Sequence, residues 1–180
     1  MAIALEELTQ RKKVGINDVL GLDPANYTLL IVKPGAMARH DGEVIGAVRK
    51  IVADNGFKIT HEYEGPLTEA HAREHYGVHS KKSFFGELVR GMTGKPVYAC
   101  VIIGENARKL LRTTHAEKTS VLDMQKINPN SLRAIYGNPQ NPVGDNAVHL
   151  SDLERVKWNG GEIETNKFEV QTAAKYLGWK

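Results

Sequence analysis

Short apolar segments alternate with amphipathic segments along the middle of the chain. Residues 27–33 (YTLLIVK) and 96–104 (PVYACVIIG) are short and apolar, which predicts two buried strands. The segment at 57–65 (FKITHEYEG) predicts a further strand, and residues 146–150 (NAVHL) predict a short last one. The four predicted strands are separated by stretches with a different, helical period.

Apolar residues between the strands recur at helical spacing. In the first such stretch, Asp41 is a candidate N-cap and Asn55–Gly56 a C-terminal stop. Further helices are predicted at 67–76, with Thr68 as cap, at 82–92 and at 105–114. Residues 34–42 are predicted to be a loop. The order β-α-β-α-α-β-α-β predicts an α+β sandwich with helices packed on one face of the sheet.

Two regions lack a clear period. Residues 1–26 contain apolar positions without regular spacing, and residues 114–145 are rich in turn formers. A structureless loop as long as the second region, inside a compact domain, is usually functional or disordered. We divide the chain into an N-terminal extension, 1–26, and a domain, 27–180.

Composition narrows the class of protein. A length of 180 residues fits one domain, and 41% hydrophobic with 25% charged residues is typical of globular proteins. The net charge of +3 suits an anionic ligand but is too small to indicate nucleic acid as the main partner. Cys100 is the single cysteine, which excludes a disulfide framework. The absence of a signal-peptide pattern and of a long apolar run predicts a cytoplasmic protein that does not bind membranes.

A small set of polar residues stands at the ends of predicted elements. Lys33, Arg112 and Arg133 supply cations that together could hold a polyphosphate. Neither a Walker loop nor a GxGxxG motif is present, which disfavours P-loop and Rossmann nucleotide sites. A metal site on His71, His75 and His79 is also disfavoured, because Gly77 interrupts their helix. His149 alone is open to three interpretations: a packed residue, a metal ligand or a nucleophile.

Three segments resemble one known family. Residues 28–48 (TLLIVKPGAMARHDGEVIGAV) are similar to the opening strand and loop of the nucleoside diphosphate kinases. Residues 74–107 (EHYGVHSKKSFFGELVRGMTGKPVYACVIIGENA) are similar to the central segment of that family, and 146–152 (NAVHLSD) resemble its N-x-x-H-G-S-D signature. The three segments follow in the family's order and span about residues 27–155.

The resemblance implies a ferredoxin-like α/β sandwich with a four-stranded antiparallel sheet. It implies transfer of a γ-phosphoryl group between nucleoside tri- and diphosphates, by a ping-pong route through a phosphohistidine. Mg²⁺ would be bound mainly through the nucleotide phosphates rather than by protein ligands. The family forms hexamers or tetramers, so the resemblance also implies a homo-oligomer.

The resemblance also assigns roles to individual residues. His149 matches the nucleophile, Ser151 the serine beside it, and Phe84 the phenylalanine that stacks on the base. Glu162 is assigned as the carboxylate that orients the histidine, if a short insertion is allowed. The family also has a threonine between the two arginines. Strict spacing places it at Lys118, and we assign Thr119, the next residue, instead. The substrate-binding positions are Lys33, Tyr76, Phe84, Arg112, Thr119, Arg133 and Asn146.

Departures from the family pattern motivate other interpretations. Gly35 replaces an aspartate, Ser83 a proline, and Leu150 the glycine that follows the histidine, which adds bulk beside the nucleophile. One alternative is therefore a kinase-like nucleotide-binding or regulatory protein with little turnover. A second alternative is a nucleic-acid-binding module on a ferredoxin-like sheet, which the modest charge disfavours.

The N-terminal extension carries apolar residues with no evident place in the domain's core. We therefore predict that the extension packs on a neighbouring subunit. The residues concerned are Ile3, Leu5, Leu8, Val19, Leu20 and Leu22.

Overall fold

The computed structural model describes residues 4–180, and its centre is a four-stranded sheet. The strands are β1 (Tyr27–Val32), β2 (Lys58–Pro66), β3 (Pro96–Ile103) and β4 (Val148–Leu150). Their spatial order is β2-β3-β1-β4, and each neighbouring pair is antiparallel. The predicted antiparallel sheet and its α+β, ferredoxin-like class are confirmed.

Side chains of the central strands alternate between two hydrophobic cores, one on each face of the sheet. Leu29 and Ile31 of β1 belong to one core, and Leu30 and Val32 belong to the other. This alternation follows from the two-residue period of a strand. Because both faces are covered, β1 is buried throughout and β3 is buried except at Pro96, and the expectation of helices on one face only is wrong.

Ten α-helices occur in residues 4–180. Helices α3, α4, α7 and α9 contribute residues to the core that contains Leu30, whereas α1, α2, α5, α6 and α10 contribute to the core that contains Leu29. In chain order the helices are α1 (Leu5–Gln10), α2 (Ile16–Leu20), α3 (Pro34–His40), α4 (Glu43–Asp54), α5 (Glu69–His75), α6 (Phe85–Met92), α7 (Ala107–His115), α8 (Val121–Ile127), α9 (Leu132–Tyr136) and α10 (Thr165–Leu177). None of them has the length and apolarity that a membrane crossing needs.

The N-terminal segment packs on its own sheet. Leu8 and Val19 are fully buried in the core that contains Leu29, and Leu5 and Leu20 pack against the same core. The prediction that this segment packs on a neighbouring subunit is therefore wrong for these residues, and Ile3 lies outside the described residues. The physical reason is that α5, α6 and α10 leave part of this sheet face for α1 and α2 to cover.

Two predicted loops contain helices. Most of the predicted loop at 34–42 forms α3 (Pro34–His40), which begins at Pro34, where a missing N–H costs no helical hydrogen bond. Asp41 follows the end of α3 in the left-handed conformation, and Gly42 rather than Asp41 precedes α4. The region 114–145 contains the short helices α8 and α9, which packing rather than a long amphipathic period stabilises.

A second, two-stranded sheet lies between β4 and the C-terminal helix. Its strands are β5 (Arg155–Trp158) and β6 (Gly161–Glu164). Asn159 and Gly160 join them with φ angles of +49° and +79°, as an Asn-Gly hairpin turn requires. Trp158 packs on Phe168 of α10, with ring centroids 4.4 Å apart. The hairpin thus sets the point at which α10 begins.

Helix α10 is fixed to both the sheet and α5. The side-chain amide of Asn166 donates hydrogen bonds to the carbonyls of Pro24 and Tyr27, each 2.8 Å long. Near the other end of α10, Lys175 and Tyr176 both bond Glu74 of α5, at 2.6 and 2.8 Å. These contacts hold the middle of α10 beside β4.

Leu8 provides a test of the N-terminal packing. Leu8→Ala should lower the free energy of unfolding by about 2–5 kcal/mol, because it leaves a cavity in a core with no solvent access. Denaturant unfolding measures this change. Leu122→Ala is the matched control, since Leu122 is 42% exposed and its truncation should cost little. Equal losses for the two variants would contradict the packing of α1 against the sheet.

Candidate active site

His149 is the middle residue of β4. The side chains of Val148 and Leu150, on either side of it, lie on the opposite face of the sheet. His149 pairs with Ile31 of β1, and its side chain lies on the Leu29 side of the sheet. Leu150 is fully buried in the opposite core. The bulk that replaces the family's glycine therefore lies on the other side of the sheet and does not crowd the imidazole, because successive side chains of a strand alternate.

A carboxylate from α10 holds the ring of His149. His149 Nε2 lies 2.9 Å from Glu169 Oε1, and the hydroxyl of Ser151 donates to Glu169 Oε2 at 2.5 Å. Ser151 is itself fixed to β1, since its Oγ accepts from the backbone N–H of Leu29 at 3.1 Å. The imidazole is thus oriented by a chain of hydrogen bonds that joins β1, β4 and α10.

Glu162, predicted to be the orienting carboxylate, occupies a different place. It lies exposed on β6, with its carboxylate 3.9 Å from Arg155 Nε. The β5–β6 hairpin forms an inserted unit between the signature and α10, so the carboxylate that meets His149 comes later in the chain. Sequence spacing missed Glu169, but the Asn159–Gly160 turn signal marks the insertion.

The electrostatic surroundings keep His149 neutral. Burial lowers the pKa of His149 below its ordinary 6.5, and the charges of Arg112, Lys33 and Arg133 lower it further, against the opposite effect of Asp152. Burial also raises the pKa of Glu169. With Glu169 ionised, Nε2 keeps the proton and donates it, which leaves a lone pair on Nδ1. Nδ1 makes no hydrogen bond to any residue in the described part of the chain.

Three cations from three elements surround this imidazole. Lys33 precedes α3, Arg112 lies in the last turn of α7, and Arg133 lies in α9. Burial, reinforced by Arg133 and Arg112, lowers the pKa of Lys33 to about 8. The two arginines lower the pKa of Lys33 because like charges repel one another. The site therefore has excess positive charge, which a bound anion would neutralise.

Arg112 forms an ion pair, whereas Arg133 forms hydrogen bonds only to backbone carbonyls among the described residues. Arg112 donates to the carbonyl of Leu150 at 3.0 Å and pairs with Asp152 at 2.5 Å. Arg133 is buried and bonds the carbonyls of Val148, Ala116 and Lys118, at 2.6 to 3.2 Å. No carboxylate in residues 4–180 forms an ion pair with Arg133. It therefore fixes the strand beside His149 and adds uncompensated charge to the site.

Gly35 leaves room for a carboxylate from another loop. A Cβ at this position would overlap the carboxylate of Asp145, which forms an ion pair with Arg39. The charge of Asp145 also acts on Lys33. A negative group thus still lies beside Pro34–Gly35, although the sequence lacks the family's aspartate there.

Two aromatic side chains from the end of α5 pack against His149. The Tyr76 ring lies 6.3 Å from the His149 ring, and its hydroxyl is buried without a hydrogen-bond partner in residues 4–180. The His75 ring stands edge-on to His149 at 4.9 Å and is 2% exposed. Tyr76 is at the site as the family resemblance implies, whereas His75 is a site residue that sequence reasoning missed, since its spacing relates it only to His71 and His79.

Asn146 and Thr119 form the rim next to β4. The side-chain amide of Asn146 donates to the carbonyl of Thr119 at 2.8 Å, and its Oδ1 is buried without a partner among the described residues. Thr119 contacts the site through its backbone, and its side chain is exposed. Lys118, the alternative position, contributes its carbonyl to Arg133.

Phe84 lies outside the cluster around His149. It precedes α6, contacts the ring of His79 at 5.7 Å and is 49% exposed. Phe84 is therefore not a core residue. Phe85, by contrast, packs against the core that contains Leu29.

A neutral, oriented imidazole among cations is suited to nucleophilic attack on a phosphoryl group. The fold and the site together define the class: an α/β-sandwich protein with a histidine-centred anion site.

Comparison with known proteins identifies the family. The family model described as nucleoside diphosphate kinase matches residues 26–163. The chain is 39% identical to the nucleoside diphosphate kinase of Bdellovibrio bacteriovorus over 125 residues, 69% of this chain and 82% of the relative. It is also 39% identical to the Aquifex aeolicus enzyme over 128 residues, covering 69% and 83% of the two chains.

Solved structures agree with these matches. The Aquifex aeolicus nucleoside diphosphate kinase superposes with a TM-score of 0.70 at 32% identity, covering 86% of this chain and 99% of that one. A Halobacterium salinarum nucleoside diphosphate kinase in complex with CDP superposes with a TM-score of 0.64 at 31% identity, covering 81% and 85%. The chain belongs to the nucleoside diphosphate kinase family and is a nucleotide-binding phosphotransferase of that kind.

Replacing Glu169 and replacing Glu162 should have different effects on kcat. Glu169→Gln should lower kcat at least about tenfold, because the orienting acceptor of the Nε2 proton loses its charge. Glu162→Gln is the matched control and should leave kcat unchanged, since Glu162 lies exposed on the hairpin. Steady-state kinetics with ATP and a second diphosphate measure both. Loss of activity in the Glu162 variant alone would restore the original assignment.

Proposed function

We propose that this chain transfers the γ-phosphoryl group from a nucleoside triphosphate to a nucleoside diphosphate by a ping-pong route through phosphorylated His149. The observation that carries the proposal is the pairing of His149 Nε2 with Glu169, which leaves Nδ1 unprotonated and without a partner among residues 4–180. A nucleophile prepared in this way serves donor and acceptor nucleotides in turn at one site.

In the first half-reaction, the lone pair of Nδ1 attacks the γ-phosphorus. The bond between this phosphorus and the β,γ-bridging oxygen breaks, and the diphosphate leaves with the electron pair. The proton stays on Nε2, where Glu169 stabilises the positive charge that develops on the ring. In the second half-reaction, a terminal oxygen of the acceptor diphosphate attacks the phosphoryl group, and the electron pair returns to Nδ1.

The cations around His149 supply charge stabilisation. Lys33 and Arg112 would bind phosphate oxygens, while Arg133 fixes Val148 next to the nucleophile and contributes its charge. No cluster of carboxylates in residues 4–180 offers Mg²⁺ the oxygen ligands that it prefers. Mg²⁺ would therefore enter with the nucleotide, as part of the substrate, and reduce the charge of its phosphates.

The nucleoside would lie beyond the phosphates. Phe84 offers an exposed aromatic face on which any base can stack, so base identity would matter little. Asn146, with its unpaired Oδ1, and the buried hydroxyl of Tyr76 would take polar contacts near the ribose and phosphates. Thr119 would border the phosphate site at the rim.

The alternative of a regulatory protein with little turnover loses its main motivation. Leu150 faces the opposite core, and Glu169 supplies a carboxylate to the ring of His149. Assembly into a hexamer or tetramer stays a prediction, and α1 and α2 are no longer expected to provide its interface.

Phosphorylation of His149 is directly testable. With γ-labelled ATP and Mg²⁺, but without acceptor, the protein should acquire an acid-labile, alkali-stable label that passes to any added diphosphate. His149→Gln should abolish labelling and transfer, while nucleotide binding measured by calorimetry should remain. His79→Gln is the control and should be labelled normally. Wild-type transfer by the His149 variant would mean that another residue carries the phosphoryl group.

The pH dependence of labelling follows from the lowered pKa of His149. The neutral imidazole attacks, so the rate should stay level as the pH falls through 6.5 and decline only below it. Rapid-quench labelling at saturating MgATP measures this profile, and circular dichroism at each pH verifies that the fold persists. A decline centred at or above pH 6.5 would contradict the buried, cation-surrounded position of His149.

Phe84 tests the position of the base. Phe84→Ala should weaken nucleotide binding by about 1–3 kcal/mol, to a similar extent for purines and pyrimidines, without loss of stability. Phe85→Ala is the matched control: it should lower the melting temperature and leave affinity intact, because Phe85 packs on the core. Unchanged affinity in the Phe84 variant would exclude stacking at this residue.

A further inference from the structure

His75 is a buried imidazole whose ring nitrogens have no hydrogen-bond partner in the described part of the chain. Only 2% of its surface is exposed, and neither Nδ1 nor Nε2 forms a hydrogen bond within residues 4–180. Leaving a buried polar group unpaired is costly, so each such case requires a physical explanation. An apolar residue would fill the same space without the free-energy cost of two unpaired ring nitrogens. The ring contacts His149, which indicates where a partner would lie.

His75, His149 and Glu169 each place one potential metal-ligand atom close to those of the other two. One such atom from each residue lies within 4.8 Å of the other two. His149 Nε2 and Glu169 Oε1 are 2.9 Å apart, close to the separation of about 3.3 Å between two ligands of a tetrahedral zinc ion. A cation placed between them would replace the proton of that hydrogen bond with little movement of either side chain.

The donor set matches one class of cation. Two imidazoles and one carboxylate, with a further position open, are the ligands of many zinc sites, whereas Mg²⁺ prefers oxygen ligands. Ser151 bonds the second oxygen of Glu169 at 2.5 Å, as outer-shell groups do for ligating carboxylates. The His149 side chain is 15% exposed, which gives an ion a route into the cluster.

We propose that His75, His149 and Glu169 form a binding site for a zinc-type divalent cation. The ion would be held by one nitrogen of His75, by Nε2 of His149 and by Oε1 of Glu169, with a water or phosphate oxygen in the fourth position. Lys33, Arg112 and Arg133 repel a further positive charge, so the affinity should be lower than that of a closed structural zinc site.

Occupation of this site would inhibit phosphoryl transfer, and this part of the inference rests on the proposed function. A carboxylate that accepts the Nε2 proton increases the electron density available at Nδ1. A divalent cation on Nε2 withdraws that density and neutralises Glu169. The ring then attacks phosphorus less readily, so the ion acts as an inhibitor that Mg²⁺ at millimolar concentration does not displace.

The site is tested by metal binding, independently of activity. Wild-type protein is titrated with Zn²⁺ in competition with a chromophoric chelator, and binding of one ion per chain is expected. His75→Gln should weaken this binding at least about tenfold, since loss of even an outer-shell partner has an effect of that size. His61→Gln is the matched control and should bind as the wild type does, because His61 lies on β2 outside the cluster. Melting curves establish that both variants fold.

A second measurement does not depend on a variant. Co²⁺ in the same site should give the visible absorption of a tetrahedral ion, and added Zn²⁺ should abolish it. Absence of Zn²⁺ binding by the wild type, or equal binding by His75→Gln, would overturn the site. Binding without inhibition of labelling would overturn only its effect on transfer. A chain that binds Zn²⁺ normally but is never labelled would instead contradict the proposed function.

Discussion

The hydrogen bond between His149 and Glu169 is the interaction on which the rest of the site depends. It joins the short strand β4 to the C-terminal helix across 20 residues of sequence, and Ser151 completes it from the sheet. Without it, the imidazole would have neither a fixed orientation nor a defined tautomer. The bonds from Asn166 to the carbonyls of Pro24 and Tyr27, and the packing of Trp158 on Phe168, hold α10 where Glu169 reaches the ring. The stability of the fold and the chemistry of the site are therefore linked through one helix.

Burial and the surrounding cations act on the pKa of His149 in the same direction. Burial favours a neutral imidazole, and the cations around it penalise the protonated form further. Such cations also favour anions, so the field that keeps the ring neutral makes the site suited to an anionic ligand. Arg133 has a second function, because its bonds to backbone carbonyls position β4 while its charge remains without a carboxylate partner in the described residues. A single residue can thus stabilise the strand and contribute to the field at the site.

Substitutions that depart from the family pattern have local compensations. Gly35 lacks the carboxylate expected there, yet Asp145 places one in the space that a side chain at 35 would fill. Leu150 is bulkier than glycine, yet strand alternation directs it into the opposite core. The hairpin β5–β6 lengthens the chain between His149 and its carboxylate, and the turn at Asn159–Gly160 closes that insertion. The kinds of side chain around the imidazole are therefore kept, although different residues of the chain supply them.

The four strands could be predicted from local sequence, because short runs rich in β-branched residues, such as PVYACVIIG, are typical of buried strands. Lys33 and His149 also lie within motifs of fixed spacing, which marks them as candidate site residues from sequence alone. The carboxylate that contacts His149 could not be predicted in this way, because an inserted hairpin breaks the link between spacing and contact. The same holds for α1 and α2, whose apolar residues lack a period and become core only because one face of the sheet is left uncovered. It also holds for His75, whose contact with His149 depends on how α5 crosses the sheet. Local patterns fix elements through backbone geometry, whereas contacts between distant elements depend on packing.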